Sequence, residues 1–359
     1  MILSPWWEPI TGNDEIENIK DVIKTNFINE GNYNLIFQDK IAKLLNTKYI
    51  VTTVNGTTAI FLALKAFKIG IGDEVIVPNF TYIATINAIT LCGAKPVLVD
   101  INIEDLNIDV SKIIKKINKR TKAIIPVHIS GRSANMNKIS KIASRYKLKV
   151  IEDAAEAFLS KNNKYLGTIA DIGCFSLSPN KIISTGQGGF IATNNKSTRD
   201  KILQLKYQGM AKRGSGGDDK HNFEGYNFKF NDLLAAFGIG QLKSIRKRIK
   251  KQIKTYNIYY EELSNLDFIK FLKFDIKSGE VPLWTDILLE NRSKFTRYLN
   301  DKKIPYRKFW LPINKQRKYK SNNTFFNSEM ISRNGLWLPS SMKYEEKQIY
   351  YICKVIKKM

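Results

Sequence analysis

The sequence has little cysteine and no long apolar run. Its 359 residues include three cysteines, Cys92, Cys174 and Cys353, which lie far apart in the chain. This spacing argues against a disulfide scaffold and against a zinc site, so we expect no bound metal. No apolar segment approaches the length of a membrane span, and the first residues lack the basic region and apolar core of a signal peptide. These absences predict a soluble, cytoplasmic protein.

Acidic residues are scarce relative to basic ones. The chain has 58 Lys+Arg against 33 Asp+Glu, which gives a formal net charge of +25 at pH 7. Such a surplus can indicate binding to nucleic acid or to an anionic membrane. The basic residues are dispersed, however, and the densest run, 246–251, has helical periodicity, which favours a solvated helix face. We therefore expect neither partner, although a basic surface would favour an anionic substrate by electrostatic steering.

Apolar periodicity predicts an α/β fold with a mostly parallel central sheet, because β-like runs alternate with helical segments. The predicted strands are 49–53, 74–78, 96–100, 122–127, 148–153, 172–175, 190–192 and 306–310. The predicted helices are 14–24, 37–45, 59–67, 82–91, 111–118, 136–146, 233–242, 245–263, 291–299 and 345–356. Ligands of such sheets bind beyond the carboxyl ends of the strands, where Asp153 is expected.

The basic helix 245–263 predicts a boundary between two domains. We expect a large domain over residues 1–243 and a smaller C-terminal α+β domain over residues 244–359. The N-terminal segment can pack against the smaller domain. No GxGxxG motif follows the first strands, which argues against an NAD enzyme.

One lysine, Lys181, lies in an unusual setting. Hydroxyl residues precede it and a glycine cluster follows it in the stretch 175–189, and apolar runs flank the whole stretch. This pattern predicts two buried strands joined by a tight polar loop. A lysine held in a semi-buried loop can lose its proton more easily than one in water, and a neutral amine can attack the aldehyde of pyridoxal phosphate. From this stretch alone, an ordinary loop lysine is an equal alternative.

Separate parts of the chain carry residues that fit the same cofactor. Asp153, at a strand end, can keep a pyridine nitrogen protonated. Gly56 and Thr57, in a turn that opens a helix, and Ser176 can bind a phosphate. Tyr82 follows a strand closely enough to stack on a ring. Each has a structural alternative, namely a helix cap, a satisfied strand end or a core aromatic side chain.

Five motifs occur in order along the chain, at 55–59, 72–78, 152–157, 175–189 and 225–227. Their sequences are NGTTA, GDEVIVP, EDAAEA, FSLSPNKIISTGQGG and GYN. Together they resemble the signature of the DegT/DnrJ/EryC1/StrS family of sugar aminotransferases, and the resemblance extends from about Glu8 to the C-terminus. It implies a homodimeric enzyme of fold type I, similar to aspartate aminotransferase, with pyridoxal 5′-phosphate as cofactor.

The resemblance also implies roles for individual residues. Lys181 matches the Schiff-base lysine, and Asp153 matches the partner of the pyridinium nitrogen. Glu156 lies where the family has Gln or Glu near the ring hydroxyl, and Tyr82 matches the stacking aromatic residue. The residues that match the phosphate ligands are Thr57, Ser176 and, from the other subunit, Asn227. Relatives with His in place of the lysine are dehydratases, so the lysine favours transamination.

The substrate is less well defined than the cofactor. The motifs are most similar to the perosamine synthase branch, which aminates C4 of a nucleotide-linked 4-keto-6-deoxyhexose, and most relatives use glutamate as donor. We expect Lys212, Arg213 and Asn314 to contact the substrate. The departures from the family pattern are Ser130, Asn135, Gln187 and Asn314. Amination of a 3-keto sugar, dehydration of a sugar and nucleic-acid binding are the alternatives.

Overall fold

Helices and strands alternate along the chain in the computed structural model, which describes residues 3–210 and 220–359. The helices are α1 (Asn13–Lys24), α2 (Asn32–Leu45), α3 (Gly56–Ala66), α4 (Ile83–Leu91), α5 (Met136–Tyr146), α6 (Lys196–Lys206), α7 (Asp232–Lys243), α8 (Ile245–Leu263), α9 (Arg292–Asp301), α10 (Phe326–Asn334) and α11 (Glu346–Ile356). The strands are β1 (Tyr49–Thr53), β2 (Glu74–Pro78), β3 (Lys95–Val99), β4 (Thr121–Ile124), β5 (Lys149–Asp153), β6 (Lys161–Asn162), β7 (Lys164–Tyr165), β8 (Ile172–Ser176), β9 (Gly189–Thr193), β10 (Ile269–Phe271), β11 (Thr285–Leu289), β12 (Arg307–Lys308) and β13 (Gly335–Leu338).

A seven-stranded sheet forms the centre, with the strand order β1-β9-β8-β5-β4-β2-β3. Neighbours from β3 to β8 are parallel, whereas β9 is antiparallel to both β8 and β1. Every residue of β2 and β9 is buried, as expected for strands that helices cover on both faces. The predicted mostly parallel α/β sheet is confirmed.

Side-chain caps fix where two of the helices around this sheet begin. Asn55 accepts a hydrogen bond from the Thr58 N–H at 2.9 Å and caps α3. Asn135 accepts one from the Lys138 N–H at 3.1 Å and caps α5. Asparagine is among the preferred residues at this position, because its side-chain oxygen satisfies a free N–H of the first turn. Asn135, which departs from the family pattern, therefore has a structural role here.

Most predicted helices match the structure to within three residues at each end, and two differ by more. Helix α2 begins at Asn32 rather than at residue 37, because the distant Asp232 carboxylate accepts hydrogen bonds from the N–H groups of Gly31, Tyr33 and Asn34. The predicted helix 111–118 is instead two 3₁₀ turns, Val110–Lys112 and Ile114–Lys116. In the described ranges, no helix combines the length and apolarity needed to cross a bilayer.

The C-terminal part contains a separate four-stranded antiparallel sheet with the order β10-β11-β13-β12. Its core includes residues from α8, α9 and α11. The N-terminal segment reaches this part, since the Ser340 N–H donates to the Trp6 carbonyl at 2.7 Å and the Tyr344 hydroxyl donates to the Ser4 carbonyl. The predicted domain boundary at residue 243 falls between α7 and α8, and it stays a prediction.

Candidate active site

A cavity of about 490 Å³ opens beyond the carboxyl ends of the central strands. Seven of the eight predicted cofactor residues line it, namely Gly56, Thr57, Tyr82, Asp153, Glu156, Ser176 and Lys181. They come from four separate regions of the chain, which the parallel strand ends bring to one edge of the sheet. A second cavity, of about 500 Å³, lies beside α2 and α6, but none of the predicted site residues lines it.

Lys181 lies in the loop between β8 and β9. Hydrogen bonds close this loop, from the Leu177 N–H to the Gly188 carbonyl at 2.8 Å and from the Thr185 N–H to the Leu177 carbonyl at 2.9 Å. The Lys181 side chain is 11% exposed, and its Nζ atom is 3.4 Å from Glu156 Oε1. The predicted tight polar loop between two buried strands is confirmed, and its Lys181 side chain lines the cavity.

Asp153 is the last residue of β5 and is 4% exposed. Its Oδ2 atom accepts a hydrogen bond from the Thr85 hydroxyl at 2.7 Å, and its Oδ1 atom accepts one from the Ala155 N–H at 3.1 Å. Burial raises the pKa of Asp153, while the hydrogen bonds from Thr85 and Ala155 lower it. The two donors fix the orientation of a carboxylate that burial alone would disfavour.

Glu156 has two different environments for its two carboxylate oxygens. The Ser130 N–H donates to Oε2 at 2.9 Å, whereas Oε1 faces the Lys181 amine. Burial raises the pKa of Glu156, and the positive charge of Lys181 opposes that shift. Glu156 is thus a buried carboxyl group with one oxygen held by the backbone and the other directed to an amine.

The N-terminus of α3 provides a candidate phosphate site. The N–H groups of Gly56 and Thr57 lie in its first turn, where no carbonyl of the same helix can accept from them. Ser176, whose hydroxyl lies 2.8 Å from the Ser178 hydroxyl, lines the same cavity. A Cβ atom at Gly56 would lie 3.0 Å from the Ser176 Cβ, so glycine permits the close approach of α3 to β8. Free N–H groups, hydroxyl donors and the positive helix end suit a phosphate.

Several predicted residues do not join this cavity. Asn227 is exposed, is bridged by its backbone to Tyr207, and does not line the cavity of its own chain. Asn314 is fully buried, and its side chain hydrogen-bonds to Asn79 at 3.0 Å and to Glu329 at 2.9 Å, so it makes no direct contact with the cavity. The predictions for Lys212 and Arg213 lie outside the described residues.

The structure adds cavity residues that the sequence analysis missed. Thr85 donates to Asp153, and its place three residues after Tyr82, the N-cap residue of α4, was the available signal. Arg307 and Trp310 reach the cavity from β12 and the segment after it, and Gln187 reaches it from the Lys181 loop. The apolar spacing around 306–310 predicted only a strand, so it gave no sign of these contacts.

Comparison with known proteins relates the whole chain to one group of enzymes. A sequence model of the DegT/DnrJ/EryC1/StrS aminotransferase family matches residues 9–357. The GDP-perosamine synthase of Escherichia coli O157:H7 is 35% identical over 362 residues, which cover 98% of this chain and 97% of the relative. The GDP-perosamine synthase of Vibrio cholerae is 34% identical over 363 residues, which cover 98% of each chain.

Solved structures share the same fold. Helicobacter pylori PseC, an aminotransferase involved in the biosynthesis of pseudoaminic acid, superposes with a TM-score of 0.91 at 22% identity, covering 98% of each chain. NtdA from Bacillus subtilis, with bound cofactor PMP, superposes with a TM-score of 0.87 at 29% identity, covering 96% of this chain and 83% of that one. The predicted similarity to fold type I transferases is confirmed over nearly the full length.

Proposed function

This chain belongs to the DegT/DnrJ/EryC1/StrS aminotransferase family, and we propose that it transfers the amino group of L-glutamate to a nucleotide-linked 4-keto-6-deoxyhexose. It is a sugar aminotransferase, and its cofactor is pyridoxal 5′-phosphate. The observation that carries the proposal is the cavity in which Lys181, Asp153 and Glu156 meet the N-terminus of α3. The 4-keto position rests on the similarity to the GDP-perosamine synthases, and the product would serve surface polysaccharide or amino-sugar biosynthesis.

The cofactor residues of the cavity have two roles, which are binding the cofactor and transferring a proton. Pyridoxal phosphate, when bound, supplies an aldehyde and an electron sink. Gly56, Thr57 and Ser176 hold its phosphate, and Tyr82, which is half exposed at the cavity wall, stacks on its ring. Lys181 would hold its aldehyde carbon, and the Lys181 amine would move the proton at the α carbon of the amino donor.

Asp153 and Glu156 hold the polar edges of the cofactor. Asp153 lies in the interior with two hydrogen-bond donors and no cationic side chain in direct contact among the described residues. A buried carboxylate of this kind is stabilised by a protonated pyridine nitrogen, and it keeps that nitrogen protonated in return. Glu156 faces the Lys181 amine, and it would bond the ring hydroxyl of the cofactor.

An unpaired guanidinium supports an anionic substrate. Arg307 is half buried, lines the cavity, and has no carboxylate partner in the part of the chain that the structure describes. Its guanidinium lies over the Trp6 ring at 5.2 Å, and such stacking holds the charge without neutralising it. A nucleotide-linked sugar carries phosphates that this charge attracts.

We also propose that two copies of the chain share each active site. The α1–α2 region exposes a group of apolar side chains, namely Ile16, Ile23, Phe27, Ile28 and Leu35. Exposed apolar side chains concentrated in one region suit a protein interface. Asn227, exposed and outside its own cavity, is free to reach the phosphate bound by a partner subunit.

Product analysis tests the proposed reaction. The enzyme is incubated with glutamate and a panel of nucleotide-linked 4-keto and 3-keto sugars, and products are identified by mass spectrometry and NMR. We expect a 4-amino-6-deoxy sugar and 2-oxoglutarate. A 3-amino product would contradict the 4-keto assignment, and a deoxygenated product without nitrogen would indicate a dehydratase. A protein that binds no pyridoxal phosphate would contradict both reactions.

A further inference from the structure

The turn formed by residues 128–132 follows β4 and lies between the cavity and the C-terminal part of the chain. Ser130, at its centre, is fully buried and has φ +54°, a left-handed conformation that is unfavourable for a residue other than glycine. Surrounding contacts must hold a residue in such a conformation. The hydrogen bonds of Ser130 therefore identify the groups that hold it in this conformation.

Every polar group of Ser130 forms a hydrogen bond. Its N–H donates to Glu156 Oε2 at 2.9 Å. Its carbonyl accepts from the Leu283 N–H at 2.9 Å, and its hydroxyl donates to Asp286 Oδ1 at 3.2 Å. One residue thus connects a carboxylate of the cavity to two points of the C-terminal segment 281–286, which leads into β11.

Neighbouring residues of the turn contact the same segment and also residues 272–274. The Arg132 guanidinium donates to Asp286, to the Leu272 carbonyl at 2.7 Å and, through Nε, to the Lys273 carbonyl at 2.9 Å. It also stacks on the Phe274 ring at 3.6 Å. A Cβ atom at residue 131 would collide with the Val281 carbonyl, so glycine is required at this point of contact.

The hydrogen bond to Glu156 fixes the orientation of this carboxylate relative to Lys181. A carboxylate can rotate, but a fixed N–H on Oε2 leaves Oε1 directed to the amine, 3.4 Å away. The position of that N–H depends on the left-handed backbone of Ser130, and this depends in turn on Leu283 and Asp286. A shift of segment 281–286 would therefore move the Glu156 carboxylate.

We propose that Ser130 is a positioning residue that couples the location of segment 281–286 to the orientation of Glu156 toward Lys181. This inference rests on the proposed function, in which Lys181 and Glu156 contact the cofactor. The charged groups that bear on Glu156 are Lys181, Asp153 and Asp286. Arg132 forms an ion pair with Asp286, so the charges of these two residues largely cancel. Ser130 would therefore affect Glu156 through its position and not through added charge.

Two variants that remove the same hydroxyl provide the test. Ser130→Ala deletes the bond to Asp286 but retains the left-handed strain, whereas Ser130→Gly deletes the bond and relieves the strain. The matched control is Ser160→Ala. The Ser160 hydroxyl donates to the Gly131 carbonyl at 2.5 Å and accepts from the Val281 N–H at 3.0 Å, so it joins the same two segments without touching Glu156 or Asp286.

Each protein is loaded with pyridoxal phosphate and measured in two ways. The first is the pH titration of the cofactor absorbance band, and the second is the single-turnover rate with glutamate alone. We expect both Ser130 variants to shift the midpoint of the titration by about half a pH unit or more. We expect them to lower the rate about tenfold, the effect of one hydrogen bond near a charged group. Ser160→Ala should remain within about twofold of the wild type, a difference of about 0.4 kcal/mol.

The outcomes separate this inference from the proposed function. If the Ser130 variants change the titration and rate no more than Ser160→Ala does, the turn only joins two segments and the inference is wrong. If Ser130→Ala fails to fold, the strain-free Ser130→Gly decides by the same two measurements. A wild-type protein that shows no absorbance band with pyridoxal phosphate would overturn the proposed function, and this inference with it.

Discussion

At the scale of single residues, the site depends on carboxyl groups kept in the protein interior. Burial raises the pKa of Asp153 and of Glu156, so both are costly to ionise in the cofactor-free protein. Asp153 offsets part of this cost through its bonds from Thr85 and Ala155. In the proposed function, a cationic ring nitrogen would offset more of this cost.

Replacement of Asp153 by Asn separates catalysis from stability. We expect Asp153→Asn to retain the cofactor and to lose activity by about a hundredfold or more, because the ring nitrogen is no longer kept protonated. Asp171→Asn, at the opposite end of the sheet beside β8, is the matched control and should retain activity. Single-turnover rates with glutamate provide the measurement, and an unchanged rate in Asp153→Asn would remove this residue from the site.

The same variant has an expected effect on stability as a function of pH. A carboxyl group with a raised pKa in the folded state binds more protons when folded, so its contribution to stability falls as pH rises from its ordinary pKa to the raised one. The cofactor-free Asp153→Asn protein should therefore melt at least as high as the wild type at pH 8, and the difference should shrink toward pH 4. A variant that is less stable than the wild type at pH 8 would contradict this account of Asp153.

At the scale of secondary-structure elements, the N-terminus of α3 is the feature that a phosphate would use. Thr57 is the second residue of α3, and it lines the cavity. Ser197 has the same position in α6, but it is exposed and lies outside the cavity. Thr57 and Ser197 therefore allow a comparison of two hydroxyl residues at the same helix position, one at the cavity and one away from it.

We expect Thr57→Ala to weaken the binding of pyridoxal phosphate about tenfold, since one hydrogen bond to a charged oxygen is lost. Ser197→Ala, as the control, should leave the affinity unchanged. Dissociation constants from absorbance titration of the cofactor-free proteins provide the measurement. Equal affinities in the two variants would mean that the Thr57 hydroxyl does not bind the phosphate.

Local sequence predicted most elements because capping residues and apolar periodicity lie within each segment. It missed the start of α2, because the side chain that caps this helix belongs to Asp232, about two hundred residues later in the sequence. The site shows the same division. Lys181, Asp153 and Thr57 belong to contiguous motifs, whereas Arg307 and the link from Ser130 to Asp286 exist only after the C-terminal part packs on the sheet.

At the scale of the whole molecule, the proposed dimer makes two chains necessary for one active site. Inactive Lys181→Ala and Asn227→Ala proteins are mixed under conditions that allow verified subunit exchange. If sites are shared, one of the two sites in a mixed dimer carries both substitutions and the other carries neither. We expect activity to reappear at up to about a quarter of the wild-type level, the share of intact sites after random exchange of equal amounts.

The control for this experiment is each parent protein exchanged with itself, which should stay inactive. Both parents must be folded, as shown by circular dichroism and by their oligomeric state. Absence of recovery in the mixture, with exchange verified and the Asn227→Ala parent truly inactive, would contradict a site shared between subunits.

The central claim is that Lys181 holds the cofactor, and reduction with borohydride tests it most directly. The enzyme loaded with pyridoxal phosphate is reduced and digested, and its peptides are mapped by mass spectrometry. The account predicts a single major phosphopyridoxyl adduct on Lys181, and none in Lys181→Ala protein that keeps its fold. An adduct on a different lysine in the wild-type enzyme, or no adduct at all, would contradict the account.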